Sequence, residues 1–302
     1  MRRNYEFVQL DVFTRTALTG NPLAIFADGG GLTDGEMQAL AREMNLSETT
    51  FILPREPQIE AKEGKRVRIF TVTEELPFAG HPTLGTALYI YSTSAERAAQ
   101  VVLDLNIGKV PVQFRSDTDD ARFDRVDGAV FGEMRQRDPE FGNILPREKV
   151  AASLGLAISD IASQWPIQVV STGLAFAILP ISNLESFRNL KFNPLAAEGL
   201  LVAAGARFFY LICVEPARAE VRARMFFYGG EDPATGSAAG CAASWLVKHK
   251  LVKSDEQVLI RQGVEAGRPS ELFIRATKDG ERVTNVRVGG YAVEVLRGTV
   301  TL

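Results

Sequence analysis

Cysteine and histidine are scarce in this 302-residue chain, two of each: Cys213, Cys241, His81 and His249. Cys213 sits in an apolar strand-like run and Cys241 in an Ala-rich one, with no CxxC pair and no Cys/His cluster. Neither a disulfide framework nor a structural zinc site is expected from such a set. Positive charge is not in excess either, because 34 Lys and Arg stand against 37 Asp and Glu for a formal net charge of -3. That leaves nothing to neutralise a phosphate backbone, so nucleic acid is not an expected partner. No apolar run approaches the roughly 20 residues of a membrane helix. Arg2 and Arg3 are followed by Asn4-Tyr5-Glu6 rather than by the apolar stretch of a signal peptide. A cytoplasmic protein without membrane contacts is the expectation. Its chemistry falls to carboxylates, hydroxyls, backbone dipoles and an imidazole, with no metal and no organic cofactor.

What is present supports sizeable cores: 46% of residues are hydrophobic and 24% charged, the balance of a globular chain. The length suits two lobes of roughly 150 residues each. A duplication supports the same division. Laid over itself at the spacing that puts Arg66 on Arg222, the chain matches Arg66-Val-Arg-Ile-Phe70 with Arg222-Ala-Arg-Met-Phe226, and Glu75-Leu-Pro-Phe-Ala-Gly-His81 with Glu231-Asp-Pro-Ala-Thr-Gly-Ser237. Each copy reads as a β-branched and aromatic strand (67–72; 221–228), an acidic turn with proline, a glycine, and an apolar helix (82–91; 238–248) rich in small residues. Pro82 suits a first helical turn, where its missing N–H has no partner to lose.

The remaining segments are mostly strand-like: 5–13, 23–27, 49–53, 101–105, 110–114, 167–171, 175–180, 208–214, 258–261, 271–276 and 292–301. Surface helices are expected over 34–44, where Thr33-Asp-Gly-Glu36 has capping-box spacing, and over 147–154 and 194–204. The expected fold is α+β: two pseudo-symmetric lobes, each a mostly antiparallel sheet or barrel wrapped around a central helix. The expected lobes are 1–120 with 288–302, and 121–287, the polar stretch Arg115–Arg125 being the crossover.

Helices starting at Gly80 and Gly236 would offer unpaired backbone N–H groups and a positive dipole end, a ready site for a carboxylate. Read singly, either glycine serves equally as a tight-turn residue. The copies differ where a functional pair should differ: His81 stands against Ser237, and Asp232 against Leu76. A site that gives and takes a proton needs groups of unlike basicity, and an imidazole titrates near neutrality. A satisfied helix-start histidine is the alternative for His81. Glu48, in Asn45-Leu-Ser-Glu-Thr-Thr-Phe51, reads from the residues alone more simply as a solvated loop acid, and Glu74, Glu75 and Glu231 compete with it.

Five segments decide between these readings. Asp11-Val-Phe13, Gly20-Asn-Pro-Leu-Ala24, Asn45-Leu-Ser-Glu-Thr49, Phe70-Thr-Val-Thr-Glu-Glu-Leu-Pro-Phe-Ala-Gly-His-Pro-Thr-Leu-Gly85 and Glu231-Asp-Pro-Ala-Thr-Gly-Ser-Ala-Ala-Gly240 together resemble the phenazine-biosynthesis isomerases, the PhzF-like family. The resemblance implies a fold of the diaminopimelate-epimerase type with the active site in the cleft between the lobes, a cofactor-independent isomerase, and a homodimer. It implies that Glu48 shuttles a proton between carbons, as the family's phenazine enzyme does on a cyclic dihydro-hydroxyanthranilate. His81 and Asp232 join it as catalytic residues, and Gly80, Gly236 and Ser237 as substrate-binding residues. Related epimerases use two cysteines; here Pro77 and Pro233 hold the corresponding turns, so two-thiol racemisation is disfavoured. The expected function is a proton-moving isomerase or epimerase acting on a small carboxylate-bearing molecule. The rival is a binding protein that holds a small acid on the same fold without chemistry.

Overall fold

The computed structural model describes residues 2–116, 129–190, 194–215, 220–227 and 230–302. In chain order the first elements are β1 (Asn4–Val12), β2 (Asn21–Phe26), α1 (Asp34–Met44), β3 (Glu48–Leu53), α2 (Pro57–Glu63), β4 (Lys65–Phe70), β5 (Glu75–Leu76), α3 (Gly80–Thr93), β6 (Gln100–Leu105), β7 (Gly108–Ser116) and β8 (Val130–Arg135). There follow β9 (Glu140–Leu145), α4 (Arg147–Leu154), β10 (Ile167–Ser171), β11 (Ala175–Pro180), α5 (Leu184–Asn189), α6 (Glu198–Ala204), β12 (Phe208–Glu215), β13 (Glu220–Phe227) and β14 (Gly230–Asp232). The chain ends with α7 (Gly236–Lys248), β15 (Val258–Gln262), β16 (Ser270–Asp279), β17 (Arg282–Gly290) and β18 (Ala292–Thr301). Two compact units result, Met1–Arg135 with Gly289–Leu302, and Gln136–Val288. Of the crossover expected over 115–125, residues 117–125 lie outside the described residues, and Arg115 belongs to β7.

In the first unit the strand order is β18-β1-β2-β3-β4-β6-β7-β8, antiparallel except for β2–β3 and β4–β6. The short β5 shares an edge of β4 with β6. α3 touches β1, β2, β3, β6, β7 and β8, so the sheet curls around it. That position explains its composition. From Gly80 to Leu88 every residue is buried, and a helix apolar on all sides is stable only inside. Gly85 shows how tight the fit is: a Cβ there would come within 2.6 Å of Val12 Cγ2 and 2.7 Å of Leu23 Cδ2. On the outer face, α1 covers the sheet with Met37, Leu40 and Ala41 against Phe26, Phe51 and Phe70. Its start is the expected capping box, Thr33 accepting from the Glu36 amide and Glu36 accepting from the Thr33 amide at 2.8 Å.

The second unit repeats this wiring. β10–β11 is antiparallel, β11–β12 parallel, β12–β13 antiparallel, β13–β14 antiparallel, β13–β15 parallel and β15–β16 antiparallel. Those are the relations of β1 through β7 in the same order. α7 packs on β10, β11 and β16 and is buried from Ala238 to Val247. Over β10–β12 lies an outer layer in which α4, α5 and α6 contribute Val150, Leu154, Phe187 and Leu201.

The duplicated residues do duplicated work. Arg68 grips Glu75 through Nε (2.7 Å) and Nη2 (2.6 Å), and Arg224 grips Glu231 through the same atoms at 2.9 and 2.7 Å. Each fork clamps the strand to the turn that leads into the inner helix. Each guanidinium also lies over the next aromatic ring of its strand, Arg68 on Phe70 at 5.1 Å and Arg224 on Phe226 at 4.8 Å.

Candidate active site

In the first unit three elements bring polar side chains together. Glu48 opens β3, opposite Leu23 in the parallel register with β2, and its side chain is 17% exposed. His81 is the second residue of α3 and is buried. Its Nε2 lies 3.5 Å from Glu48 Oε2. On the other side of the ring, Asn21 Nδ2 approaches Nδ1 at 3.3 Å. Asn21, fully buried, is placed by a turn that only glycine fits: Gly20 has φ +68°, and a Cβ would meet the Val12 carbonyl oxygen at 2.5 Å. Sequence reading quoted Gly20-Asn-Pro but did not single out Asn21; an amide at the head of an otherwise apolar strand was the available signal.

Burial corrects the expectation that His81 titrates near neutrality. Loss of solvent drives its pKa down to about 3, against a weaker opposing hydrogen bond with the Pro22 carbonyl. The ring is therefore neutral at pH 7. The Glu48–His81 contact is accordingly not an ion pair at pH 7.

α3 and α7 share an unusual start. Their N-caps, Ala79 and Thr235, make no side-chain capping bond to the helix. The first amides of a helix have no partner within it, so Gly80 and His81 in one unit, and Gly236 and Ser237 in the other, present N–H groups with the positive end of the helix dipole behind them.

The second unit holds Asp232, Gly236 and Ser237. Asp232 ends β14, is 8% exposed, and accepts a 2.6 Å hydrogen bond at Oδ2 from the Thr235 hydroxyl. Gln262, fully buried at the end of β15, holds the same turn, donating to the Asp232 carbonyl at 2.8 Å. Sequence reading missed Thr235 and Gln262. Gln262 stands in Val258-Leu-Ile-Arg-Gln262 just before a glycine, and an amide there carries no charge to draw attention.

The competing residues have other occupations. Glu75 and Glu231 are held by their arginine forks, and Arg68 keeps the Glu75 carboxyl below the usual range. Both thiols are pushed up to about 11, chiefly by burial, so neither is a ready nucleophile at neutral pH. Among the described residues no group of three or more His, Cys, Asp and Glu is arranged to hold a metal ion. No helix there is long and apolar enough to cross a membrane.

Residues 10–298 match the family model described as phenazine biosynthesis-like protein. Among curated relatives, an uncharacterized isomerase of Mesorhizobium japonicum is 37% identical over 98% of this chain and 98% of its own. The trans-2,3-dihydro-3-hydroxyanthranilate isomerase of Pseudomonas aeruginosa is 36% identical over 99% of this chain and 100% of its own. Among solved structures, a phenazine biosynthesis protein of the PhzF family from Bacillus anthracis superposes with a TM-score of 0.86 at 27% identity, covering 99% of each chain.

Proposed function

Because this chain belongs to the phenazine biosynthesis-like protein family and is an isomerase, we propose that it moves a proton between carbons of a small carboxylate-bearing substrate without a cofactor, with Glu48 as the general acid and base. The observation that carries this reading is the Glu48 carboxylate, partly exposed and 3.5 Å from a buried, neutral imidazole beside an uncapped helix start.

The chemistry balances without an oxidant. Glu48 takes a proton from carbon, the C–H electron pair shifts into the adjoining π system, and the proton returns to a different carbon from the Glu48 carboxyl group. Substrate and product are isomers. An imidazolium beside Glu48 would lock the carboxylate as an ion pair and oppose its protonation; the neutral His81 leaves the group able to gain and lose a proton within one turnover. His81, 3.5 Å away, closes in this proposal to a hydrogen bond with Glu48 during turnover. In this proposal the amides at Gly80, Gly236 and Ser237 bind the substrate carboxylate and stabilise negative charge as it develops. Asp232 is the second carboxylate of the machinery. The compound named for the Pseudomonas relative, trans-2,3-dihydro-3-hydroxyanthranilate, carries such a carboxylate and is the first substrate to try. The working assembly of the proposal is a homodimer.

Turnover of that compound in D2O tests the reading. The product is expected to carry solvent deuterium on the carbon that gains hydrogen, at a rate untouched by chelators. Binding without any exchange would identify a small-acid binding protein instead.

A further inference from the structure

Gln262 has no part in the proposed function as stated, yet its side-chain amide meets four polar atoms. Oε1 accepts from the Thr235 backbone N–H at 3.1 Å and from the Tyr210 hydroxyl at 2.9 Å. Nε2 donates to the Asp232 carbonyl at 2.8 Å and to Thr235 Oγ1 at 2.8 Å. Two of these partners can act in one way only: a backbone N–H donates and a carbonyl accepts. The neighbours therefore fix which end of the amide is oxygen, since a flipped amide would lose both bonds. Because Nε2 donates to Thr235 Oγ1, the hydroxyl's own hydrogen goes to its other partner, Asp232 Oδ2 at 2.6 Å. The chain of bonds runs one way, from Gln262 through Thr235 to the Asp232 carboxylate. A proton on Oδ2 would face the hydroxyl hydrogen head-on, so the chain favours the ionised acid.

The first unit carries none of this. The register pairs Arg222 with Arg261 and, equivalently, Arg66 with Asp104, so the residue matching Gln262 is Leu105. Thr235 and Asp232 match Ala79 and Leu76. Three polar residues in one copy replace three apolar residues in the other, and all three touch each other. A buried polar set is costly unless fully satisfied, and structure alone did not need it in the first copy.

We infer that Gln262 and Thr235 are positioning residues that hold Asp232 as an oriented, ionised carboxylate for the proton transfer, an inference that rests on the role given to Asp232 above. The test compares Asp232→Asn, Thr235→Val, Thr235→Ser and Gln262→Glu in turnover of trans-2,3-dihydro-3-hydroxyanthranilate, with thermal melts to confirm folding. Gln262→Glu is near-isosteric: it keeps both acceptor contacts but removes both donors, so the Thr235 hydroxyl is free to turn away from Asp232. Thr235→Val and Gln262→Glu are expected to lower kcat about 10–100-fold with KM little changed, in keeping with loss of support to an acid-base group. The acid limb of the pH profile should move up by about one unit, as expected when a hydrogen bond to an ionised carboxylate is lost. Thr235→Ser should restore most of the rate. If Asp232→Asn turns over normally, the role of Asp232 fails and this inference with it. If Asp232→Asn is inactive while Thr235→Val and Gln262→Glu keep native kcat and an unmoved limb, the inference is overturned and the proposed function stands. Titration of the Asp232 13Cγ NMR signal needs no substrate: an upward move of about one unit in Thr235→Val supports the inference, and an unchanged curve overturns it.

Discussion

The two copies of the repeated unit share their wiring and differ in where they carry polar groups. In the first, Asn21, Glu48 and His81 gather beside the start of α3. The strand registers match these positions to Leu174, Phe208 and Ser237 in the second copy. In the second, Asp232, Thr235 and Gln262 gather before α7, where the first has Leu76, Ala79 and Leu105. The residues that build the fold are common to both: the arginine forks, the prolines of the turns, the glycines opening the helices. What this teaches is a separation of roles. Duplication preserved the scaffold, and each copy carries polar groups at positions the other fills with apolar side chains, His81 and Ser237 excepted, which are polar in both.

The forks offer the largest test of that scaffold. Arg224 and Glu231 side chains are 8% and 12% exposed, against 15% and 25% for Arg68 and Glu75. Arg224→Leu strands a buried acid and is expected to cost about 3–5 kcal/mol in urea unfolding. Arg68→Leu should cost less, about 1–2 kcal/mol, since water screens and solvates the acid left behind. Equal losses would break the ranking by burial.

Next in size is acid sensitivity, greater in the first copy, where buried His81 stands at the position of Ser237, than in the second, where partial burial lowers the pKa of His249 less. The folded-state pKa of His81, about 3, lies below its ordinary 6.5. The unfolded chain therefore binds the extra proton, and stability is lost as pH falls from about 6.5 towards 3. His81→Asn should flatten that part of the pH–stability curve by on the order of 2–3 kcal/mol at pH 4. A variant as acid-sensitive as the unsubstituted protein would place the titrating group elsewhere.

Smaller still is the contrast between equivalent helix positions. Gly85 touches Val12, while Cys241, its counterpart, meets Thr172 at 3.5 Å. Gly85→Ala overpacks a closed core and should cost about 1–3 kcal/mol. Cys241→Ala removes one sulfur and should cost about 1 kcal/mol. Thermal melts separate the two, and a neutral Gly85→Ala would show that the sheet around α3 can expand.

Much of the scaffold was readable because its signals are local and strong. The capping box at Thr33, the turns with proline and glycine, and the inner helices rich in small residues appear at their expected places. α3 begins at Gly80 and α7 at Gly236, the expected helix starts, while the expected helix over 194–204 resolves into a 3-10 turn at Pro194–Ala197 followed by α6. Elements without a clean pattern were missed. β8 carries Gly132, whose Cβ would meet Leu84 Cδ1 at 2.8 Å, so packing on α3 overrides strand propensity there. β9 and β17 were missed as well, and α2 buries no residue, leaving no apolar face to read. At the site, Glu48 stood out only through family resemblance. Asn21 and Gln262 meet partners 60 and 27–52 positions away, which no sequence spacing reveals, while Thr235 bonds Asp232 only three residues off.

Solvent-deuterium exchange into a bound substrate, compared between the unsubstituted protein and Glu48→Gln at saturating concentration, tests the central claim most directly. With Glu48 as the base, binding measured by calorimetry should stay within a few-fold while exchange falls more than about 100-fold. Exchange at the native rate, with binding intact, would contradict it.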